Sequence, residues 1–367
     1  MNILLLTSSM SSGGAERVAA TLANAWSGRG GRVTLMPTFS EGGGCFYTLS
    51  PQVRLVYLAD LVPAKARTVI NQMLRLRALR RFIDRERPDV IVSFLPNVNV
   101  AAILASAFLR IPLIICERSD PSSFPKQGFL DKLCQATYRF ADMLTVQTTS
   151  VAAKVDRLFP GVKSVRVIPN PLPTDVVSIA KAASGHRKVL LSLGRLSSEK
   201  QIDRLLDAFS AVATMFEGWD LHIYGDGPQQ AALALQIEVG GLQQRVFLKG
   251  RTHTPWSVMA NAEAFAMTSR YEGFPNALLE AMGVGLPCVV FDCPSGPRDI
   301  TRDGEDALLV PLNDHDGLVA ALTTLMGDET RRHALGRQAR ESVCRRFSLG
   351  EVIEQWDRLF VEVGALR

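Results

Sequence analysis

The chain has 367 residues, 47% hydrophobic and 21% charged, with six cysteines and a formal net charge of +5; this excludes a disordered or collagen-like polymer and suits two domains that bury their own cores. The charge is uneven. Residues 1–175 carry 21 Lys and Arg against 12 Asp and Glu, and residues 176–367 carry 20 against 24, so the first half is expected to face an anionic partner, a phosphorylated ligand or an acidic membrane surface, and not nucleic acid, since its basic residues are not interleaved with aromatics.

From the start, short apolar runs alternate with amphipathic stretches, the pattern of parallel sheets with crossover helices. Met1 to Leu6 reads as a buried strand and lacks the parts of a signal peptide, so a cytoplasmic location is expected. Further strands are expected near 32–37, 89–93, 112–116, 142–146 and 164–168. After the first strand, Ser11-Ser12-Gly13-Gly14-Ala15-Glu16-Arg17 opens a helix whose Ala15, Val18, Ala19, Leu22 and Ala25 share a face. Two glycines at a helix N-terminus allow close backbone approach, and the free N–H groups suit a phosphate; a tight turn without ligand is the alternative. A dinucleotide fingerprint is absent, which argues against hydride transfer.

Residues 65–87 hold Lys65, Arg67, Arg75, Arg77, Arg80, Arg81, Arg85 and Arg87 against only Asp84 and Glu86. At 100° per residue, Val69, Met73, Leu76 and Ile83 cluster on a packing side, while Ile70, Leu74, Arg77 and Arg81 follow an exposed one. That exposed mixture suits an anionic membrane surface, or simply a solvated helix. The apolar stretch 98–116 is broken by Arg110 and Pro112 and is too short to span a bilayer. Cys116 and Cys288 sit in apolar runs, no CxxC occurs, and disulfides are not expected.

Three prolines in 169–173 cannot lie in a helix or a central strand and mark the domain boundary. The expected domains are 1–170 and 171–347, with a final helix at 348–364, capped by Ser348 and Glu351, packing back on the first. In the second domain strands are expected near 188–193, 220–224, 245–248, 263–267, 287–290 and 307–310. Directly after the first of these, Gly194-Arg195-Leu196-Ser197-Ser198-Glu199-Lys200 lies where open sheets bind ligands. Arg195 can grip phosphate oxygens bidentately and Lys200 can add a point charge, so the two could neutralise a departing diphosphate; solvated surface charges are the alternative.

The most specific stretch is Ser269-Arg270-Tyr271-Glu272-Gly273-Phe274-Pro275-Asn276-Ala277-Leu278-Leu279-Glu280-Ala281-Met282-Gly283. Pro275 suits a first helical turn, which puts Glu272 in the preceding loop and Glu280 on the second turn. The N–H groups near Asn276 and Ala277 could bond sugar hydroxyls, Glu280 could accept both hydroxyls of a ribose, and Glu272 could hold a sugar. A hydrolase acid/base pair would need a water-activating site that nothing here builds. Asp314-His315-Asp316 has the look of a metal-binding DxD, but it precedes a periodic run and reads as a helix cap.

These motifs together resemble glycosyltransferase family 4, and Tyr224-Gly225-Asp226-Gly227-Pro228, Leu248-Lys249-Gly250-Arg251 and Gly283-Val284-Gly285-Leu286-Pro287 stand where that family has its own loops. The resemblance implies the α/β GT-B fold, two Rossmann-like doubly wound domains facing a central crevice, and a retaining transfer from a UDP-sugar. It implies a catalytic group of Glu272, Arg195 and Lys200. The donor site would add Gly14 at the distal phosphate, the backbone of Arg251 at the base, the Gly273-Phe274-Pro275-Asn276-Ala277 turn at the sugar and Glu280 at the ribose. No metal and no other cofactor is expected.

Many members carry a histidine in the segment that reads Cys116-Glu117-Arg118-Ser119-Asp120-Pro121 here. Position 118 is arginine, and all five histidines lie in the second half, which favours a front-face mechanism with the leaving phosphate as base. The basic helix is similar to one that N-acetylgalactosaminyl transferases of bacterial N-glycosylation use to hold a polyprenyl diphosphate. The implied acceptor is therefore a polyprenyl-diphosphate-linked saccharide on the anionic inner face of the cell membrane, bound through Arg17, Arg75, Arg77, Arg80, Arg81, Glu117 and Arg118. UDP-N-acetylgalactosamine is the leading donor. The rival readings are a nucleotide-sugar epimerase of the same fold and a non-catalytic assembly or lipid-binding scaffold.

Overall fold

The computed structural model describes all residues except 12, 41–43, 63–68, 122–127, 180–186 and 367, so Lys65 and Arg67 lie outside the described residues. The chain divides into two compact units, Met1–Pro171 with Leu349–Arg367, and Leu172–Ser348.

The first unit holds a seven-stranded parallel sheet. Its strands are β1 (Asn2–Thr7), β2 (Arg32–Pro37), β3 (Arg54–Leu55), β4 (Val90–Phe94), β5 (Leu113–Cys116), β6 (Met143–Val146) and β7 (Val165–Val167), in the order β3-β2-β1-β4-β5-β6-β7. β4, β5 and β6 are buried along their whole length, because helices cover both faces and no strand position can be polar by alternation. On one face the helix α1 (Gly14–Gly28) meets the terminal helix Leu349–Glu362 through Trp26 and Trp356, ring centroids 5.5 Å apart edge to face. On the other lie α2 (Val69–Glu86), α3 (Pro96–Ser106) and α4 (Phe129–Thr137). Only β3 went unforeseen in this half, because two residues make no periodic run.

The packing face of α2 differs from the expectation. Leu79, Phe82 and Ile83 are buried, whereas Met73 is exposed together with Ile70; the side chain of Val69 lies outside the described residues. The buried stripe centres on Leu79, and at 100° per residue Met73 falls about 120° away from it.

The second unit holds β8 (Lys188–Leu193), β9 (Trp219–Tyr224), β10 (Val246–Gly250), β11 (Ala264–Met267), β12 (Cys288–Asp292) and β13 (Leu308–Pro311) in the order β10-β9-β8-β11-β12-β13, all parallel. The order reverses between β8 and β11, so the loops leaving these two strands diverge. Such a point opens a cleft at the carboxyl ends of the strands. Asp314 caps the helix His315–Gly327, its Oδ1 accepting the Gly317 N–H at 2.9 Å. Among the described residues no helix is long and apolar enough to cross a membrane.

Candidate active site

The second unit's reversal point is where the donor-site motifs fall. The Gly194–Gln201 loop follows β8, and backbone bonds hold it on two sides. Leu196 N donates to Asp226 O at 2.8 Å and Gly194 N to Tyr224 O at 3.0 Å. The approach is so close that a Cβ on Gly225, at φ +142°, would lie 1.8 Å from the Gly194 carbonyl oxygen; glycine is a steric requirement there. On the other side, Arg270 N donates to Glu199 O at 2.7 Å, and the buried Thr268 hydroxyl lies within bonding distance of the carbonyls of Lys200 and Gln201.

This stitching brings two predicted residues into direct contact. Lys200 Nζ donates to Glu272 Oε1 at 2.6 Å, and the Ser269 hydroxyl donates to the same oxygen at 2.6 Å. Arg195 is exposed at the strand exit. The turn 273–275 is supported from behind, where the Ser295 hydroxyl donates to Gly273 O at 3.1 Å and a Cβ on Gly296 would stand 2.5 Å from Pro275 Cδ. Phe274 packs on Phe347. Helix Asn276–Val284 begins one residue later than Pro275, which is its N-cap and supplies no side-chain bond, so the N–H groups of Asn276 and Ala277 stand in the first turn.

Glu280 is 2% exposed, and its Oε2 accepts the indole N–H of Trp256 at 3.0 Å. Trp256 belongs to the helix Pro255–Ala260. Arg251 sits at the end of β10 and pairs through Nε with Asp226 Oδ1 at 2.7 Å, the guanidinium holding the Asp226 carboxyl below its ordinary range. Sequence reasoning missed Trp256, Ser295 and Asp226 as partners, because each comes from a distant segment and no spacing announces it; Ser269, three residues before Glu272, was quoted in the motif but not read as its partner.

In the first unit the glycine loop carries its own carboxylate. Ser9 Oγ donates to Glu16 Oε1 at 2.6 Å, and Glu16 Oε2 lies 2.1 Å from where a Cβ on Gly13 would be. Tyr47 OH donates to Gly13 O at 2.9 Å. Gly14 is exposed at the first helical position, and Arg17 is half-buried one turn on.

Three of the expected acceptor residues have partners within the unit's own packing. Arg80 Nη1 donates to the carbonyls of Ala105 and Ala107 at 3.1 and 2.8 Å, so it caps the end of α3. Glu117 is 2% exposed and accepts the Tyr138 hydroxyl, inside a network in which Asn99 Nδ2 reaches Tyr138 at 3.1 Å and Ser93 Oγ reaches Asn99 at 2.7 Å. Burial pushes the Glu117 carboxyl up to about 7, against the opposing bond from Tyr138. Arg118 lies over the Phe94 ring at 3.8 Å and donates through Nη1 to Asn170 at 3.0 Å; burial holds its guanidinium below the ordinary arginine value. Arg75 is half-buried with its Nε enclosed, and Arg77 and Arg81 are exposed.

Two parallel α/β units, one with phosphate- and sugar-suited groups at its reversal point, define a transferase of the GT-B class. Residues 13–171 match the glycosyl transferase 4-like domain and residues 178–342 the domain of glycosyl transferases group 1. The chain belongs to this glycosyltransferase family. It is 28% identical, over 99% of both chains, to a Campylobacter jejuni protein named as the alpha-1,4-N-acetyl-D-galactosaminyltransferase of GalNAc-alpha-(1->4)-GalNAc-alpha-(1->3)-diNAcBac-PP-undecaprenol. To an amylovoran biosynthesis glycosyltransferase of Erwinia amylovora it is 27% identical over 92% of this chain and 93% of that one. The Anabaena protein HepE, crystallised in complex with UDP, shares the fold with a TM-score of 0.82 at 20% identity, over 99% of this chain and 100% of that one.

Proposed function

We propose that this glycosyltransferase moves a sugar, N-acetylgalactosamine as the first candidate, from a UDP-sugar to a polyprenyl-diphosphate-linked glycan with retention of configuration. The observation that carries the reading is the Lys200–Glu272–Ser269 cluster at the β8/β11 reversal point, on the loop that also carries Arg195. Lys200 and Glu272 touch, so the groups they serve must be neighbours in the substrate, as a diphosphate and the sugar bonded to it are. Support for the acceptor comes from the Campylobacter relative's named substrate, and support for UDP from the complex of HepE.

In this reading Glu280 takes the ribose hydroxyls, with Trp256 fixing one carboxylate oxygen, and the N–H groups of Asn276 and Ala277 meet the sugar. The bond from the anomeric carbon to the diphosphate oxygen breaks while an acceptor hydroxyl attacks from the same face. Its proton passes to the departing phosphate oxygen, and Arg195 and Lys200 neutralise the charge that develops there. Neither Glu117 nor a histidine stands in as base: the first is enclosed by Tyr138 and Asn99, and the second is absent from the first half. No metal is required, and full activity in excess EDTA is the expected result.

The test is a thermal-shift titration with UDP, GDP and NAD on wild-type and Glu280→Ala protein, followed by transfer assays with UDP-N-acetylgalactosamine and UDP-N-acetylglucosamine on a polyprenyl-diphosphate trisaccharide. Ligand at 100 times its dissociation constant adds about 2.7 kcal/mol, a readable shift. UDP-selective stabilisation that fades in the variant, with acceptor-dependent UDP release, is expected. Release of UDP without acceptor would mark an epimerase, and no nucleotide effect at all would mark a scaffold.

A further inference from the structure

The five exposed phenylalanines among the described residues, Phe39, Phe46, Phe108, Phe129 and Phe140, all belong to the first unit. Two of them lie in the turns that lead into β5 and β6, at the amino-terminal end of these neighbouring strands. The turn that leaves α3 presents Phe108 at 98% exposure, with Phe108 at φ +65° and Arg110 at φ +56°. Non-glycine residues are uncommon in that left-handed region, so the chain accepts strain to turn a large apolar ring outward. The turn is braced: Arg80 of α2 donates to the carbonyls of Ala105 and Ala107, and Leu109 N donates to Ser106 O at 3.0 Å.

The neighbouring turn, which leads into β6, carries Phe140 at 61% exposure with the Arg139 guanidinium 5.0 Å from its ring centre. Asp142 N donates to Leu113 O at 3.0 Å, and Leu113 N donates to Asp142 Oδ2 at 2.9 Å, which fixes the starts of β5 and β6, into which the two turns lead, side by side. Leu104, one helical turn before Phe108, is also exposed. The one acidic side chain at this junction, Asp142, pairs with Lys163 at 3.3 Å, whereas Arg110 and Arg139 are in no ion pair among the described residues.

We propose that this surface, formed by Leu104, Phe108, Arg110, Arg139 and Phe140, docks the protein on an anionic lipid bilayer, with the two rings entering the headgroup boundary and the two arginines at the phosphates. Paired exposed aromatics with uncompensated basic neighbours match the chemistry of that surface. A soluble partner would have to be acidic and grooved at once to suit the same five side chains. Arg80 ties this surface to α2, but its own Nη1 is committed to the α3 carbonyls. This inference rests on the proposed lipid-linked acceptor.

The test uses the full chain with Phe108→Ser/Phe140→Ser, Arg110→Glu/Arg139→Glu and Arg77→Glu/Arg81→Glu variants. Co-sedimentation is measured with vesicles of phosphatidylglycerol and phosphatidylcholine, and with phosphatidylcholine alone. Wild-type should sediment with the anionic vesicles, and the first two variants should lose at least tenfold in apparent affinity. Loss of about 1 kcal/mol per basic residue corresponds to roughly thirtyfold for the arginine pair. Their thermal midpoints and their transfer to a short-chain, water-soluble acceptor should stay at wild-type values. Wild-type that ignores anionic vesicles, or variants that sediment as wild-type does, would overturn the docking surface while leaving the transfer reading intact. Vesicle binding without transfer to any acceptor would remove the transfer reading and keep the docking surface.

Discussion

The two units use the same architecture and spend their charged residues differently. In the second, the predicted polar residues stand at the reversal point and bond one another across loops, as Lys200 and Glu272 do. In the first, three of the predicted residues bond within the unit itself, Arg80 to α3, Glu117 to Tyr138, and Arg118 to Phe94 and Asn170, with Nε and Nη2 of Arg118 left enclosed without a hydrogen bond. A charged residue in a loop after a switch-point strand is therefore placed from sequence more safely than one on a long amphipathic helix or at a strand end beneath a helical layer. The latter can turn its charge inward and still satisfy the helical period.

The sharpest way to break this contrast is to remove the charge that bridges the two loops of the second unit. Lys200→Gln should cut kcat/KM by about two to three orders of magnitude, because a cation aimed at developing charge in a sheltered site is worth several kcal/mol. Arg77→Gln, on an exposed face of the first unit, should leave transfer to a soluble acceptor within about threefold. Steady-state kinetics on the two variants checks both. If they lost activity equally, the difference between the units would be gone.

The next effect is steric. Gly225→Ala places a methyl group against the Gly194 carbonyl oxygen, so the loop after β8 must move. A loss of about 2 to 4 kcal/mol is expected, seen as a lower thermal midpoint, together with weaker UDP protection. Gly44→Ala, which meets no atom within 4 Å, should show neither change.

Strands β4, β5, β6, β11 and β12 were readable because strands buried on both faces are continuous apolar runs, and the others from shorter apolar stretches between the amphipathic ones. So were the loop motifs after β8 and β11, since a short segment with two carboxylates eight residues apart from a turn to a helix has few other uses. What could not be read is contact across the chain. Trp256 lies 24 residues before Glu280 and touches it only because two helices pack side by side. The misassigned stripe of α2 has a different origin: Met73 and Leu79 are equally apolar, and only the position of α3 decides which of them is covered.

Trp256→Phe sharpens that point at a smaller scale. It keeps the ring and removes the N–H that holds Glu280 Oε2, a bond to a charged group worth about 1.5 to 3 kcal/mol. UDP should bind about tenfold more weakly, with the change in KM and little in kcat, since the ribose does not react. Equal losses in kcat would instead place Trp256 in the chemical step.

The smallest effect tests the first unit's inward-turned carboxyl. Burial raises Glu117 from an ordinary value of 4.5 to about 7, so between these pH values the native state holds a proton that the unfolded chain has lost. Stability therefore falls as pH rises from about 4.5 to about 7, by a few kcal/mol at most, and changes little from this source above that. Glu117→Gln keeps an acceptor for the Tyr138 hydroxyl and has no proton to lose. Its urea-unfolding stability should consequently drop less than wild-type's between pH 5 and pH 7.5, while transfer activity at pH 7.5 survives. A variant with the wild-type pH slope would show that Glu117 is already ionised in the native protein, and a variant that folds and binds UDP but transfers nothing would restore it as the base that the packing argues against.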